Sequence, residues 1–324
     1  MTATGVGSMP GSDIAEAVRL VTSELPEFVH LPELPERGAA AGVTGRGVAL
    51  LQGLSADLQP AGWRLQDAAG IDAQRAGSLL AQDLDLLEEH TQGYAGRLKV
   101  QVIGPWTLAA TMERPRGDRV LADFGARREL AQSLTEGIAL HVEGVRQRVP
   151  GARVVVQVDE PGLAAVLRGA VPTASGFSRH RRVATPEARE TLSAVVAAVT
   201  AAGAAPVAHV CSADVPVGLL AEAGFGAVSF DLSLTGGGEA FATALEAGLG
   251  LWPGIVPATD PAERQAPGDV VNAVQRYFAE LGSDVDSVAD RVVVTPACGL
   301  AGASPAWARD ALRLVRAVSE ALGR

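Results

Sequence analysis

Residues 192–211 read LSAVVAAVTAAGAAPVAHVC and form the most apolar stretch of the chain. Alanine dominates this stretch, and Gly203 and Pro206 interrupt it, which predicts a helix, a turn and a strand rather than a membrane span. The predicted strand ends at His209-Val210-Cys211, where a buried strand would reach the surface. A helix that leads directly into a buried strand is the repeating unit of α/β proteins.

The same alternation extends from this stretch in both directions. Strand-like runs lie at 4–8, 28–32, 99–104, 153–158, 206–211, 227–232, 250–256 and 291–295. Amphipathic segments typical of helices lie at 13–23, 125–147, 186–201, 215–223, 239–247, 268–281 and 305–322. Eight strands that alternate with helices predict an α/β fold, a closed (β/α)8 TIM barrel that spans residues 1–324 as a single domain.

Two connections are too long for a minimal barrel. Residues 33–97 follow the second strand and should contain a helix at 73–90 with an irregular insert before it. Residues 161–184 follow the fourth strand. Because both insertions follow a strand, we expect them at the face where barrel enzymes carry their active sites.

Composition narrows the class of protein. The chain has 324 residues, is 48% hydrophobic and carries a net charge of −10, which argues against nucleic acid or an anionic membrane as its main partner. Two cysteines do not make a disulfide framework, and no basic and then apolar leader opens the sequence, so we expect a cytoplasmic protein. The only lysine, Lys99, is attributed to composition.

Residues able to carry chemistry gather where the predicted strands end. The strand ends contribute Gly7, Ser8, Glu33, Asp159, Glu160, His209, Cys211, Asp231 and Cys298, and Asp260 follows the seventh strand. The carboxyl ends of barrel strands share one rim, so these side chains should meet there. Asp159 and Glu160 could equally cap a helix or neutralise an arginine, and Glu33 lies beside Glu36 and Arg37.

The two cysteines indicate a metal site. Alternate residues of a strand face the same way, so His209 and Cys211 can reach one ion. Cys298 arrives from another strand and Asp231 from a neighbouring one. Two thiolates, an imidazole and a carboxylate form a tetrahedral zinc set. Each cysteine alone could instead be a small residue of the core.

Four ordered motifs resemble the catalytic barrel of cobalamin-independent methionine synthase, in the superfamily that includes uroporphyrinogen decarboxylase. They are Gly7-Ser8-Met9-Pro10, Gln157-Val158-Asp159-Glu160-Pro161, His209-Val210-Cys211-Ser212 and Thr295-Pro296-Ala297-Cys298-Gly299-Leu300. The resemblance implies zinc on His209, Cys211, Asp231 and Cys298. It also implies that homocysteine is bound near Gly7, Ser8, Glu33 and Asp159, with Glu160 beside them.

Departures from the family pattern bear on the reaction. Asp231 stands where the family has a glutamate, which shortens the reach of the carboxylate by about one ångström, so ligation could be direct, through water or lost. Thr259 aligns with a family histidine used for acid–base work, and Asp260 is the nearest proton carrier. Full-length members of the family carry an N-terminal barrel that helps to hold folate, and we expect no room for it within these 324 residues.

We therefore predict a zinc-dependent methyltransferase that moves a methyl group to the thiol of homocysteine, with Asp159 and Asp260 as catalytic residues. The donor is a methyl-corrinoid, possibly protein-bound, or 5-methyltetrahydrofolate. A corrinoid is favoured because its methyl group leaves without a proton donor. The alternatives are a uroporphyrinogen decarboxylase-like or corrinoid methyltransferase barrel, and a non-catalytic relative that binds a thiol or corrinoid.

Overall fold

The computed structural model describes residues 1–68, 70–236 and 238–323. The strands are β1 (Thr2–Ala3), β2 (Phe28–His30), β3 (Ser55–Gln59), β4 (Gly62–Gln66), β5 (Arg97–Ile103), β6 (Arg153–Asp159), β7 (Ala205–Val210), β8 (Ala227–Asp231), β9 (Gly250–Val256) and β10 (Val293–Pro296). The helices are α1 (Ile14–Glu24), α2 (Val43–Leu50), α3 (Ile71–His90), α4 (Pro105–Thr111), α5 (Phe124–Arg148), α6 (Leu163–Arg168), α7 (Thr185–Ala201), α8 (Val217–Glu222), α9 (Glu239–Glu246), α10 (Pro267–Glu280) and α11 (Pro305–Leu322).

Eight of these strands form one parallel sheet in the order β1-β10-β9-β8-β7-β6-β5-β2, which is a (β/α)8 barrel. β1 and β2 stand at the two ends of this order, and the barrel closes through the residues that follow these two strands. There the Met9 amide donates to the Glu33 carbonyl at 2.8 Å, and the Glu33 amide donates to the Gly7 carbonyl at 3.1 Å. The predicted fold class is therefore confirmed, and the closing contacts join two predicted substrate-binding segments.

The first predicted strand is displaced from its observed position. The pattern placed it at residues 4–8, whereas the ladder with β10 covers only Thr2–Ala3. Gly7 has a φ of +155°, a conformation that L side chains rarely adopt. The remainder of the segment runs beside the continuation of β2 and pairs with it in a parallel bridge between Ser8 and Glu33.

The insertion after β2 contains more structure than the sequence predicted. Helix α3 was predicted within two residues of its observed start, but α2 and the antiparallel hairpin β3–β4 were not. Helix α2 includes Gly45 and Gly47, which have weak helix propensity. A Cβ atom at Gly45 would lie 2.3 Å from the Ala39 carbonyl oxygen, so close packing rather than propensity explains this helix.

The barrel interior is layered along its axis. At the end where the strands begin, the buried apolar residues Phe28, Val155, Val207, Ala227, Trp252 and Val293 form one cluster. Inward-facing residues recur every second position, so the next layer contains the polar side chains of His30, Lys99, Gln157, His209, Ser229 and Thr295, all buried. The apolar layer closes one end of the barrel, and the polar layer lies beneath the mouth at the other end.

No helix within the described residues combines the length and the apolar character that crossing a bilayer requires.

Candidate metal centre and substrate pocket

His209, Cys211 and Cys298 come together at the mouth of the barrel. The Cys298 Sγ lies 3.0 Å from the Cys211 Sγ and 3.8 Å from the His209 Nε2. One donor atom from each residue lies within 4.8 Å of the other two, and no other histidine, cysteine, aspartate or glutamate of the described residues joins this group. Three of the four predicted metal ligands therefore meet.

A hydrogen bond to the ring nitrogen that does not face the thiols fixes the orientation of the His209 ring. Its Nδ1 lies 3.0 Å from the Ser229 Oγ of the adjacent strand, and both side chains are buried. His209 and Ser229 are also partners in the β7–β8 register. With Nδ1 bound to the hydroxyl group, Nε2 is left to face the thiols, the arrangement by which outer partners orient metal-binding histidines.

The two thiols influence each other's ionisation. Their shared hydrogen bond, together with the neighbouring imidazole, lowers the pKa of the Cys298 thiol. The same hydrogen bond and burial raise the pKa of the Cys211 thiol. The pair therefore favours one thiolate and one thiol that share a proton, a state from which a soft cation would displace that proton.

The donor set fits zinc. Two sulfurs and one imidazole nitrogen are soft and borderline ligands that select zinc over magnesium or calcium. Zinc–sulfur bonds of about 2.3 Å in a tetrahedral arrangement place two sulfurs about 3.8 Å apart. The Sγ atoms are 3.0 Å apart, so small rotations of the two half-buried cysteines are enough to reach that separation.

The structure does not bring Asp231 into this group. Its Oδ1 accepts hydrogen bonds from the Ser233 amide at 2.8 Å and the Ser233 hydroxyl at 2.6 Å. These hydrogen bonds engage the carboxylate with the turn that follows its own strand. The shorter side chain of aspartate, compared with glutamate, is consistent with this placement, and ligation by Asp231 remains a prediction.

A cavity of about 250 Å³ opens beside the thiols. Its walls include Gly7, Ser8, Glu33, Asp159, His209, Cys211, Cys298 and Gly299. All three members of the thiol–imidazole group and four predicted substrate-binding residues therefore share one pocket. Carboxylates and soft metal ligands in one pocket suit a small molecule that carries both an ammonium group and a thiol.

Gly299 makes room for Ser8 in this pocket. A Cβ atom at position 299 would lie 1.9 Å from the Ser8 Oγ. The Leu300 amide also donates to the Ser8 carbonyl at 2.7 Å, which holds the two segments together. The close approach leaves no space for any side chain at position 299 without displacement of Ser8.

Gly299→Ala is expected to raise the KM for the thiol substrate about tenfold, because overpacking that displaces Ser8 costs about 1–3 kcal/mol. Steady-state kinetics would check this. Gly302→Ala is a matched control, since a Cβ atom there meets only the Thr259 side chain at an ordinary 3.5 Å. An unchanged KM in Gly299→Ala would show that Ser8 does not contribute to binding.

Asp159 lies at the end of β6 and lines the cavity. Burial raises the pKa of its carboxyl, an effect that the nearby His209 and Lys99 oppose. Gln157 Nε2 donates a hydrogen bond to Oδ1 at 2.8 Å, which fixes the carboxylate orientation. A partly buried carboxylate with a single amide donor retains capacity to accept hydrogen bonds from a ligand ammonium group.

Glu33 is held by a buried chain of charges. Its Oε1 lies 2.9 Å from Arg46 Nε of α2, and Arg46 Nη1 lies 2.8 Å from the fully buried Asp83 of α3. Arg37 Nη2 contacts the same Asp83 oxygen at 2.8 Å. The insertion after β2 thus positions a pocket carboxylate through ion pairs. Sequence reasoning assigned no role to Arg46 or Asp83.

Glu160 is buried beneath the rim and does not line the cavity. One carboxylate oxygen accepts from the Trp106 amide at 2.9 Å. The other accepts from the Thr107 amide at 2.8 Å and the Thr107 hydroxyl at 2.6 Å. These donors belong to the first turn of α4, so the side chain caps that helix, the alternative that the sequence had left open.

Glu160→Gln is expected to lower the free energy of unfolding by about 1–3 kcal/mol, because an amide turns a donor toward the α4 amides. Burial raises the pKa of Glu160 from 4.5 to about 7. Because the pKa of Glu160 is higher in the folded protein than in the unfolded chain, its protonated form stabilises the fold. This contribution is complete below the pKa of the unfolded chain and is lost as the pH rises toward 7. The difference between wild type and variant should therefore shrink between pH 5 and pH 8 in thermal unfolding, and a constant difference would contradict this.

Asp260 lies away from the cavity walls. Its two oxygens accept hydrogen bonds from the Ser304 amide at 2.7 Å and hydroxyl at 2.6 Å, just before α11. These hydrogen bonds lower the pKa of Asp260. A carboxylate held in its ionised form at a helix start is a poor proton donor. The catalytic role suggested for Asp260 remains a prediction without a contact to the pocket.

Comparison with known proteins identifies the family. A model of the catalytic domain of cobalamin-independent synthase matches residues 94–321, more than half of the chain. The chain therefore belongs to this family. A search of curated proteins finds no match.

Two solved structures share the fold. A B12-independent methionine synthase from a Shewanella species, in complex with selenomethionine, has a TM-score of 0.63 at 13% sequence identity, with 99% of this chain and 97% of that chain covered. A catalytic module of a pneumococcal exo-beta-D-N-acetylglucosaminidase has a TM-score of 0.52 at 9% identity, with coverage of 99% and 85%. At such low identity, both matches support the barrel fold alone.

Proposed function

We propose that this protein transfers a methyl group to the thiol of homocysteine to form methionine, with zinc held by His209, Cys211 and Cys298. Family membership supports a methyltransferase of the methionine synthase type. The observation that carries the proposal is the group of three soft donor atoms on the wall of a cavity that also presents Glu33 and Asp159. Both thiols are free, which suits the reducing cytoplasm.

Zinc bound at these three residues supplies positive charge that favours the thiolate form of a substrate thiol at neutral pH. A free thiol has a pKa of about 8.5 and is a weak nucleophile in its protonated form. Three protein donors leave a position open, as in catalytic rather than structural zinc sites.

The carboxylates orient the substrate. Asp159 and Glu33 accept hydrogen bonds from the ammonium group of the amino acid, and the Ser8 segment closes over its other end. This binding directs the sulfur toward Cys211 and Cys298, which line the same pocket. Alignment of a nucleophile with its methyl donor can contribute several kcal/mol of barrier reduction.

The methyl donor is a methyl-corrinoid or 5-methyltetrahydrofolate, and we favour the corrinoid. The nitrogen of folate leaves only after protonation, and Asp260 is hydrogen-bonded to Ser304 instead of facing the cavity. A corrinoid cobalt accepts the electron pair of its methyl bond without a proton. A cavity of about 250 Å³ is also suited to the amino acid alone, so the donor would approach from the open mouth.

The experiment supplies zinc-loaded protein and homocysteine with methylcobalamin or with 5-methyltetrahydrofolate and measures methionine. Methionine from either donor supports the proposal, and faster formation from methylcobalamin supports the preference. Zinc and homocysteine binding without turnover from either donor would favour the non-catalytic relative. A decarboxylase would need arginine to grip propionates, and none lines this cavity among the described residues.

A further inference from the structure

A polar cluster of Lys99, Gln101 and Gln157 lies inside the barrel directly beneath the pocket. Lys99 and Gln157 are fully buried, and Gln101 is 3% exposed. Lys99 is the only lysine of the chain, so every other basic side chain except histidine is an arginine. Burial of an ammonium group costs several kcal/mol, and a hydrophobic residue of similar volume would remove that cost.

The surroundings of Lys99 identify it as an ammonium donor. Its Nζ donates to the Val6 carbonyl at 2.7 Å and to the Gln157 Oε1 at 2.6 Å. The third acceptor is the Gln101 amide oxygen at 2.9 Å, in the amide orientation that also lets Gln101 donate to the Leu31 carbonyl. Three acceptor oxygens match the three N–H groups of an ammonium, whereas a neutral amine has only two.

Lys99 and two acceptor oxygens together fix which way the Gln157 amide faces. Since an ammonium group only donates, Gln157 turns its oxygen toward Lys99. Its NH₂ group then donates to Asp159 Oδ1 at 2.8 Å and to the Val6 carbonyl at 2.9 Å. The Val6 carbonyl thus accepts from both side chains, and it directly precedes Gly7 and Ser8 of the pocket wall.

The charges around Lys99 oppose the effect of its burial. Burial lowers the pKa of Lys99 to about 7, and the charges of Asp159 and Glu33 favour its ammonium form. His30, from β2, is also close, and burial followed by the Lys99 charge lowers the pKa of that imidazole, so it stays neutral. The ammonium therefore faces two pocket carboxylates that it does not contact directly.

We propose that Lys99 is a positioning residue that acts through Gln157 to orient the Asp159 carboxylate and the Val6–Ser8 segment for the ammonium group of an amino-acid thiol. The inference rests on the proposed function and extends it. Without the ammonium, the Gln157 oxygen loses the donor that holds it and the Val6 carbonyl loses one of its two donors, so the amide and the Val6–Ser8 segment are held less firmly. The substrate's amino group would lose its oriented acceptor, while the thiol-binding side of the pocket is left intact.

The test compares homocysteine with 4-mercaptobutyrate, which has the same thiol and carboxylate but no amino group. In wild type, kcat/KM should favour homocysteine. In Lys99→Met, this preference should fall about tenfold or more through KM, since a hydrogen bond to a charged group is worth about 1.5–3 kcal/mol. The kcat should stay within about threefold, and zinc content should be unchanged.

Arg97→Met is the matched control, because it removes a charge from the same strand at the opposite end of the barrel, where Arg97 lies over the Phe28 ring. It should retain the wild-type preference. Gln157→Met removes the hydrogen bonds that link Lys99 to Asp159 without removal of a charge, and it should lower the preference for homocysteine as Lys99→Met does. If Lys99→Met does not fold, Gln157→Met alone tests the proposal.

Three results would overturn the proposal. They are a preference retained within about twofold in the folded variants, an equal loss for both thiols, and a loss of zinc. If wild type transfers the methyl group and any of these results is obtained, only the role of Lys99 is refuted, and the proposed function stands. A wild-type protein that methylates neither thiol refutes the proposed function itself, and the role of Lys99 with it.

Discussion

Cys298→Ser is expected to lose zinc and methyl transfer together. Removal of one of the three ligands leaves an imidazole and a single sulfur. Two ligands are too few to retain zinc when the protein is diluted. Zinc content should fall from about one per chain to less than about a tenth, and methionine formation should fall more than about a thousandfold. Elemental analysis and the methionine assay on the same preparations measure both quantities.

Metal-free wild type provides the control for this prediction. Chelator-treated wild type should be inactive and should recover when zinc is added, whereas Cys298→Ser should not recover. The thermal unfolding midpoints of the two metal-free proteins should agree closely, because Cys298 is only half-buried. Methyl transfer by zinc-free Cys298→Ser at the wild-type rate would refute a role for the thiol–imidazole group in the reaction.

The second large effect is expected for Asp159→Asn. The amide cannot offer a negative charge to the substrate's ammonium group, and truncation of one partner of a buried charge pair costs about 2–5 kcal/mol. We expect kcat/KM for homocysteine to fall roughly a hundredfold or more, with little change for 4-mercaptobutyrate. Zinc content should stay near one per chain, since Asp159 is not part of the group of three ligands.

Glu160→Gln offers a contrast at the adjacent position. Both side chains are carboxylates of one motif, with Asp159 partly buried and Glu160 fully buried, but Glu160 contacts the first turn of α4 and not the cavity. Its substitution should therefore appear in the unfolding midpoint rather than in substrate preference. Equal kinetic losses in both variants would mean that the motif acts as a unit and that the separation of roles is wrong.

The metal group could be predicted because two regularities act together. Alternation along a strand places His209 and Cys211 on one face, and the barrel topology brings the end of β10 to the same rim. The β6–β7 register, which pairs Asp159 with His209, then places a carboxylate beside them. None of these steps requires knowledge of side-chain conformation.

The carboxylates were harder to predict because their roles depend on nearby donors. Asp231 binds the Ser233 turn, Asp260 binds Ser304 and Glu160 binds α4. An aspartate or glutamate at a strand end serves equally well as a ligand or as a cap, and only the placement of backbone N–H groups decides between these roles. Lys99 could not be recognised at all, because its acceptors at Val6 and Gln157 lie 93 and 58 residues away in the sequence.

X-ray absorption at the zinc edge tests the central claim most directly. The account predicts about one zinc per chain with two sulfur ligands at about 2.3 Å, from Cys211 and Cys298, and a third sulfur when homocysteine is added. The sulfur count should not rise with homoserine, which carries a hydroxyl in place of the thiol. Absence of bound zinc, or a sulfur count that homocysteine leaves unchanged, would contradict the account.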